Sequence, residues 1–289
     1  MRWTSRYAMA AAAAFGVSAW LATPAALAQA DKPITVGLDG TFAPHAMPKV
    51  GGRPGEVEGF NVDLANEIAK RLKRPINIVA QEFSGLIPAL NAGRFDWLAA
   101  PTTVTPERAK NLLFTEGYLN TYYQLVLKKT SPDVARLEDL KGKKITVNKG
   151  SAYDKWADTN KDKYGFEVLA FPTQTDAVQA VMAGRADANL GGNTVVAWAA
   201  KQNPTLKLGA KIDEGLMWAA PFRKDDVAGR NQVENVIECM KLDGTIAQLH
   251  EKWFGTKPEP GSAAVTVFKG YGVPGAEGHD PTERKPQCG

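Results

Sequence analysis

The chain has 289 residues, of which 44% are apolar and 23% charged, with a formal net charge of +4. That balance excludes a disordered polyelectrolyte and leaves room for one large or two medium folded domains. No basic run exceeds the cluster Lys141, Lys143 and Lys144, so a nucleic-acid surface is not expected, and two cysteines exclude a disulfide-dense scaffold.

In chain order, the first thirty residues read as a secretory signal peptide. Arg2 and Arg6 form a positive start, Ala8 to Leu21 is apolar, and Ala28-Gln29-Ala30 is a small-x-small cleavage site. The mature chain is then expected to start at Asp31, with a cut after Ala28 as the competing choice. No Cys follows the apolar stretch, which argues against a lipoprotein anchor. No later segment offers about 18 consecutive apolar residues, so a soluble periplasmic protein is expected.

Ile34-Thr35-Val36 opens the first strand, and a Gly/Pro-rich loop follows from Pro44 to Gly59. Val62, Ala65, Ile68, Ala69 and Leu72 recur at helical spacing. Ile76–Val79 is a short strand, Gln81–Gly85 a loop, Leu86–Ala92 a helix and Trp97–Ala100 another strand. Tyr122–Lys128 reads as a strand. Ile145-Thr146-Val147 then starts a second series: a weaker helix from Ser151 to about Lys161, a strand at Glu167–Ala170 and a helix at Ala177–Ala183. Leu216–Phe222 reads as one strand. Val233, Val236, Ile237 and Met240 mark one helix; Ile246, Leu249, Trp253 and Phe254 mark the next. From Gly255 onward Pro and Gly dominate, which predicts an extended tail.

The two series are copies. Residues 89–104 and 180–195 align at a constant offset of 91, with seven of sixteen positions identical. Both carry Ala-Gly-Arg-x-Asp, at Gly93, Arg94 and Asp96 and at Gly184, Arg185 and Asp187. The glycines suit the left-handed residue that ends a helix. The first copy has about twenty extra residues between its first strand and first helix. Each copy is β-α-β-α-β, which predicts two similar α/β lobes with a cleft between them. Lobe one is expected from 31–124 and 220–257 and lobe two from 125–219. The two strands between them make a two-strand hinge, and 258–289 is the tail. Cys239 and Cys288 are expected to pair, stapling the tail to lobe one. Two free thiols, with Cys239 buried, are the alternative.

No catalytic motif is present. His45, His250 and His279 lack metal-ligand spacing, and there is no phosphate loop and no Gly-x-Ser-x-Gly. No cofactor or metal is expected. Ligands of open α/β sheets bind at the carboxyl ends of strands. There lobe one offers Pro101-Thr102-Thr103-Val104-Thr105-Pro106-Glu107-Arg108. Thr105 fits an N-cap and Pro106 the first helical position, so amides and the Arg108 guanidinium suit a carboxylate. The alternative is a solvent-facing arginine on an ordinary helix start. Phe42 and Phe83 follow the first two strands and either wall a pocket or pack the core. Lobe two offers Asn148-Lys149-Gly150-Ser151-Ala152-Tyr153, Thr173-Gln174-Thr175 and Gly191-Gly192-Asn193-Thr194. Ser151 either presents amides to a ligand or only caps its helix.

These segments together resemble the periplasmic solute-binding proteins of amino-acid ABC transporters, family 3. The carriers are Asp39-Gly-Thr-Phe-Ala-Pro44, Gly59–Leu72, Leu86–Asp96, Thr105–Ala109, Leu140–Ser151 and Asp243–Gly255, which span Ile34 to Gly255. The resemblance implies a two-lobed periplasmic-binding-protein type II fold that closes around one small solute. It makes Phe42 the aromatic that covers the ligand and Phe83 a second wall. It makes Ala100, Thr102, Thr103 and Arg108 a carboxylate clamp, and Asn148, Lys149, Gly150, Ser151 and Ala152 lobe-two contacts. Many relatives have an Asp after the second repeated strand to hold an α-ammonium. Here Gly192 occupies that place, with Asn193 beside it. The ammonium is then held otherwise, by Asn193 or Glu82, or the ligand is not a standard α-amino acid.

The expected function is capture of a polar amino acid or small carboxylate and delivery to an inner-membrane ABC permease, by a monomer. The alternative is a cyclohexadienyl-dehydratase-like enzyme, with Glu82, Asp154 and Asp176 as its cleft acids. A sensory input module is a third reading, which would need a membrane span or a partner receptor.

Overall fold

A computed structural model describes Met1 and residues 32–288. The expected signal peptide and its cleavage site lie outside the described residues. Among those residues, no helix is long and apolar enough to cross a membrane.

The strands are β1 (Ile34–Leu38), β2 (Met47–Pro48), β3 (Val57–Glu58), β4 (Ile76–Ala80), β5 (Trp97–Leu98), β6 (Thr102–Thr103), β7 (Leu112–Phe114), β8 (Leu119–Lys128), β9 (Lys144–Asn148), β10 (Glu167–Phe171), β11 (Ala188–Gly192), β12 (Leu206–Ala219) and β13 (Pro221–Arg223). The helices are α1 (Phe60–Arg71), α2 (Phe83–Asn91), α3 (Pro106–Ala109), α4 (Ala152–Tyr164), α5 (Gln174–Met182), α6 (Asn193–Gln202), α7 (Val227–Leu242) and α8 (Thr245–Phe254).

The duplication is visible in the sheets. The first unit orders its strands β4-β1-β5, and the second orders the equivalent strands β10-β9-β11. All of these neighbours are parallel. The repeated motif does the same work in both units. Gly93 (φ 74°) and Gly184 (φ 75°) end their helices in the left-handed conformation. Arg94 N then donates to Ala89 O at 3.0 Å, and Arg185 N to Ala180 O at 2.9 Å. Asp96 Oδ2 accepts from Thr35 N at 2.8 Å, and Asp187 Oδ2 from Lys144 N at 2.7 Å. Each aspartate thus clasps the start of its unit's first strand.

The second sheet continues antiparallel through β8, β12 and β6, giving the order β10-β9-β11-β8-β12-β6. β8 and β12 are the two long strands linking the units, and their ladder is broken by register shifts between Leu208 and Lys211 and between Ile212 and Leu216. The strand expected at Leu216–Phe222 is therefore two elements. Its first part is the end of a much longer β12, and the chain breaks at Ala220 before β13 pairs with β7. The expected division at 124/125 falls inside β8. α2 begins at Phe83, inside the segment expected to be loop.

The extra loop of the first unit carries the β2–β3 hairpin and folds back on itself. Asn61 N donates to His45 O at 2.9 Å, and a Cβ on Gly59 (φ 148°) would lie 2.3 Å from that oxygen. Only glycine allows the approach. α1 buries Phe60, Leu64, Ala65 and Ile68 in a core shared with Trp97, Tyr118, Trp218 and Phe222. α7 and α8 complete this unit after the chain has returned from the second. Asp63 Oδ2 accepts from Trp253 Nε1 and Lys252 Nζ, both at 2.7 Å. The tail has one isolated bridge, Tyr271 to Asp280, and no other regular strand or helix among its described residues. Cys239 and Cys288 form a disulfide that pins it to α7.

Candidate functional site

The loops at the carboxyl ends of β1, β5 and β9 meet between the two units. They line a narrow cavity with only about 10 Å³ of free space, walled by Phe42, Phe83, Tyr153 and Trp218 and carrying Asp39 and Arg108. Ala100, Pro101, Thr103, Ser151 and Ala152 complete the lining.

α3 aims Arg108. Thr105 caps this short helix, its hydroxyl accepting from Arg108 N at 3.3 Å. The guanidinium donates to Thr103 O at 3.0 Å and, across the cleft, to Gly150 O at 3.1 Å. It stacks 5.5 Å from the Phe83 ring centroid. Burial lowers its pKa, with Tyr123, Tyr153 and Glu107 opposing the shift. Arginine stays charged through such a shift, so the cavity holds a cation.

Asp39 is the cavity's one carboxylate. It is 2% exposed, and its Oδ1 accepts from Thr41 N at 2.9 Å and Thr41 Oγ1 at 2.7 Å. Its Oδ2 accepts from Asn148 Nδ2 of the second unit at 3.1 Å. Neither Asp39 nor Arg108 makes an ion pair within 4.0 Å among the described residues. Asn148 Oδ1 is buried without a donor.

The other expected site residues have different places. Thr102 is fully buried and turns its hydroxyl onto Ala100 O at 3.0 Å, away from the cavity lining. Lys149 is exposed and not in the lining. Gly150 contributes its carbonyl to Arg108 and passes close to the first unit: a Cβ there would lie 3.2 Å from Ser84 Cα. Ser151 lines the cavity and also caps α4, accepting from Asp154 N at 3.0 Å. Asn193 is outside the lining, its Oδ1 accepting from Thr121 Oγ1 at 3.2 Å. Glu82 faces a separate surface depression with Gln81 and Ser84. Neither Asn193 nor Glu82 reaches the cavity.

Gly192 packs beneath Trp218. A Cβ on it would meet the indole at 2.5 and 2.8 Å, so no larger residue fits there while Trp218 holds its rotamer. Trp218 Nε1 donates to Thr103 Oγ1 at 3.1 Å, which fixes that rotamer. His45 lies edge-on to the same indole at 4.8 Å. Its Nδ1 pairs with Asn61 Oδ1 at 2.8 Å and its Nε2 with Thr194 Oγ1 of the second unit at 2.7 Å.

Residue-by-residue reading missed Asp39, Pro101, Tyr153 and Trp218. Asp39 and Tyr153 stand in segments already singled out, Asp39 directly after β1 and Tyr153 in the first turn of α4. The signal that selected Phe42 and Ser151 applies to them equally. Trp218 stands in a strand assigned to the hinge, and nothing local marks its role.

Two α/β units, linked by two long strands and closed over a charge-lined cavity, define the two-lobed solute-binding proteins. Residues 34–256 match the profile of the bacterial extracellular solute-binding proteins, family 3, and the chain belongs to that family. Among curated relatives, the L-arginine-binding protein of Pseudomonas aeruginosa is 31% identical over 235 residues, covering 78% of this chain and 89% of the relative. Among solved structures, an ancestral arginine-binding protein bound to arginine superposes with a TM-score of 0.73 at 33% identity, covering 77% of this chain and 98% of the other. An ancestral amino acid-binding protein described as a precursor of cyclohexadienyl dehydratase gives 0.72 at 30% identity, covering 79% and 97%.

Proposed function

We propose that this chain captures a zwitterionic α-amino acid with an uncharged side chain in the periplasm and hands it to an inner-membrane ABC permease. The observation that carries the reading is the presence of both Arg108 and Asp39 in one aromatic-walled cavity. Arg108 takes the carboxylate, with donors left over from Thr103 O and Gly150 O. Asp39 takes the ammonium, in place of the acid that Gly192 and Trp218 exclude. A second cation on the ligand would have no counter-charge there, and burying an unpaired charge is costly.

In this reading the first lobe (31–124 and 220–257) captures the ligand, the second (125–219) closes on it, and export ends with cleavage near Ala30. Closure is a population shift driven by contacts that span the cleft. The relatives named for arginine bind a ligand with one more cation. The test is isothermal titration against all common amino acids and dicarboxylates, with Arg108→Ala and Asp39→Asn. The expected result is one or a few neutral amino acids, with affinity about 10- to 100-fold weaker in either variant. Full affinity in Asp39→Asn, or a preference for arginine or a dicarboxylate, would overturn the ligand class.

The dehydratase reading loses the three acids assigned to it, and the cavity's one carboxylate, Asp39, is held by three donors. Glu82 faces the surface, Asp154 is tied to Gly150 N at 2.7 Å outside the cavity, and Asp176 pairs with Thr173 Oγ1 at 2.8 Å. No turnover of prephenate or arogenate is expected.

A further inference from the structure

A second opening shares no residue with the ligand cavity. It is a groove of about 920 Å³ between the end of α1, the flank of α7 and the C-terminal tail. We propose that this groove binds an extended acidic peptide segment of a partner protein.

Charge supports the assignment. Lys70, Arg71, Lys73, Arg284 and Lys285 line the groove with one acid, Asp243; Lys70 is paired with Glu67 at 3.2 Å, so Lys73 and Lys285 are the lining's uncompensated cations among the described residues. Asp243 is already committed to Arg71 at 2.6 Å. Lys73 and Lys285 are exposed and make no ion pair within 4.0 Å among the described residues. The arginines are held ready. Arg71 is fixed by Glu67 at 2.9 Å and by Thr245 Oγ1 at 2.8 Å. Arg284 is fixed by Glu238 at 2.7 Å and stacks 3.5 Å over Tyr271. Its Nε is buried without an acceptor. Prepaid ordering of this kind lowers the entropy cost of binding.

The remaining polar lining selects a peptide over a simple oxyanion. Gln232 and Gln287 each offer a donor and an acceptor, while the Asn231 oxygen already accepts from Arg230 Nε at 2.6 Å. A phosphate would use only donors, whereas a peptide backbone uses both. Asn235 shows the pattern: its side chain donates to Gln287 O at 2.9 Å and accepts from Gln287 N at 2.7 Å. The groove also exists only because the tail is there. Tyr271, Arg284, Lys285, Gln287 and Cys288 form one wall, and all lie beyond residue 256, where the family match ends. The proposal does not depend on which amino acid the cleft takes.

The experiment is fluorescence anisotropy of a fluorescein-labelled hexaglutamate peptide with the oxidised mature chain. Hexaglutamine, inorganic phosphate and vesicles of phosphatidylglycerol and phosphatidylcholine are the other arms. Hexaglutamate is expected to bind in a salt-sensitive way and hexaglutamine to fail. Lys73→Glu with Lys285→Glu should weaken binding at least about fivefold. Lys73→Gln with Lys285→Gln should fall between that variant and the unaltered chain. Both variants should keep the thermal midpoint and the cleft's ligand titration. Absence of hexaglutamate binding up to about 1 mM, or equal binding by the double variants, overturns the proposal. So does binding of phosphate or vesicles in place of the peptide.

Discussion

Trp218 and Gly192 form a matched pair, and each explains the other. Gly192 has an ordinary extended backbone (φ −67°, ψ 143°), so its glycine is required by the indole above it and not by strain. Gly192→Ala should therefore cost about 1–3 kcal/mol of stability through overpacking. In a Trp218→Ala background that cost should vanish, and a double-mutant cycle from urea melts reads the coupling directly. His45 gives a second residue-scale expectation. It is buried against Phe42, Phe60, Trp218 and Phe254, with Asn61 and Thr194 on its two nitrogens. Burial, with His250 adding to it and Asn61 opposing, pushes its pKa down to about 3. Between the ordinary histidine value of about 6.5 and that folded value, the unfolded chain takes up a proton that the folded chain refuses. Stability from this group is thus full above about pH 6.5 and lost as pH falls, by roughly 1.4 kcal/mol per pH unit. His45→Gln should flatten the difference between urea melts at pH 7 and pH 4. An equal acid loss in the variant would show that His45 takes up its proton in the folded chain as readily as in the unfolded one.

At the scale of elements, the repeated aspartates are architectural. Asp96 and Asp187 each bond the first strand of their own unit and line no part of the cavity. Asp96→Ala and Asp187→Ala should each lower stability by about 1–3 kcal/mol, in denaturant melts, without changing ligand affinity. A loss of affinity beyond the stability change would mean that the clasp also sets the cleft. The helix stops at Gly93 and Gly184 were legible in the chain because a left-handed end needs glycine at a fixed place, whereas the aspartates' bonds to their first strands were not. The caps Thr105 and Ser151 were legible too, each accepting from a backbone amide in the first turn of its helix; Thr173 does the same for α5, which begins at Gln174 inside the segment expected to be loop. What stayed hidden depends on who meets whom across the cleft. Asp39 becomes part of a site only because Asn148 and Arg108 arrive from elsewhere, and no local pattern announces that meeting. The length of β12 was hidden for a related reason. Its Lys, Gly and Asp residues have weak strand preference, and pairing with β8 overrides it.

For the whole molecule, the tail is a strap on one unit. Lys241 Nζ, fully buried, donates to Gly117 O at 2.7 Å and to the tail's Thr266 O at 2.8 Å, and forms an ion pair with Glu116. Glu116 in turn accepts from Phe268 N at 2.8 Å. Glu234 beside them accepts from Gly272 N, and burial pushes its pKa up to about 8. The disulfide closes a loop with a sequence separation of 49 residues. Cys239→Ser with Cys288→Ser should cost about 4 kcal/mol by loop entropy, lowering the thermal midpoint while leaving cleft affinity unchanged. A weaker cleft in that variant would mean that the strap also governs closure. The route of the chain also sets an order of completion. Asp63 on α1 waits for Lys252 and Trp253, 189 and 190 residues further on. Lys144 meets Asp187 after only 43. As the chain emerges from a pore, amino end first, the unit that begins later has all its elements by Ala219, before the first unit has α7 and α8. The unit that begins first is completed almost last, and the penultimate cysteine fastens it.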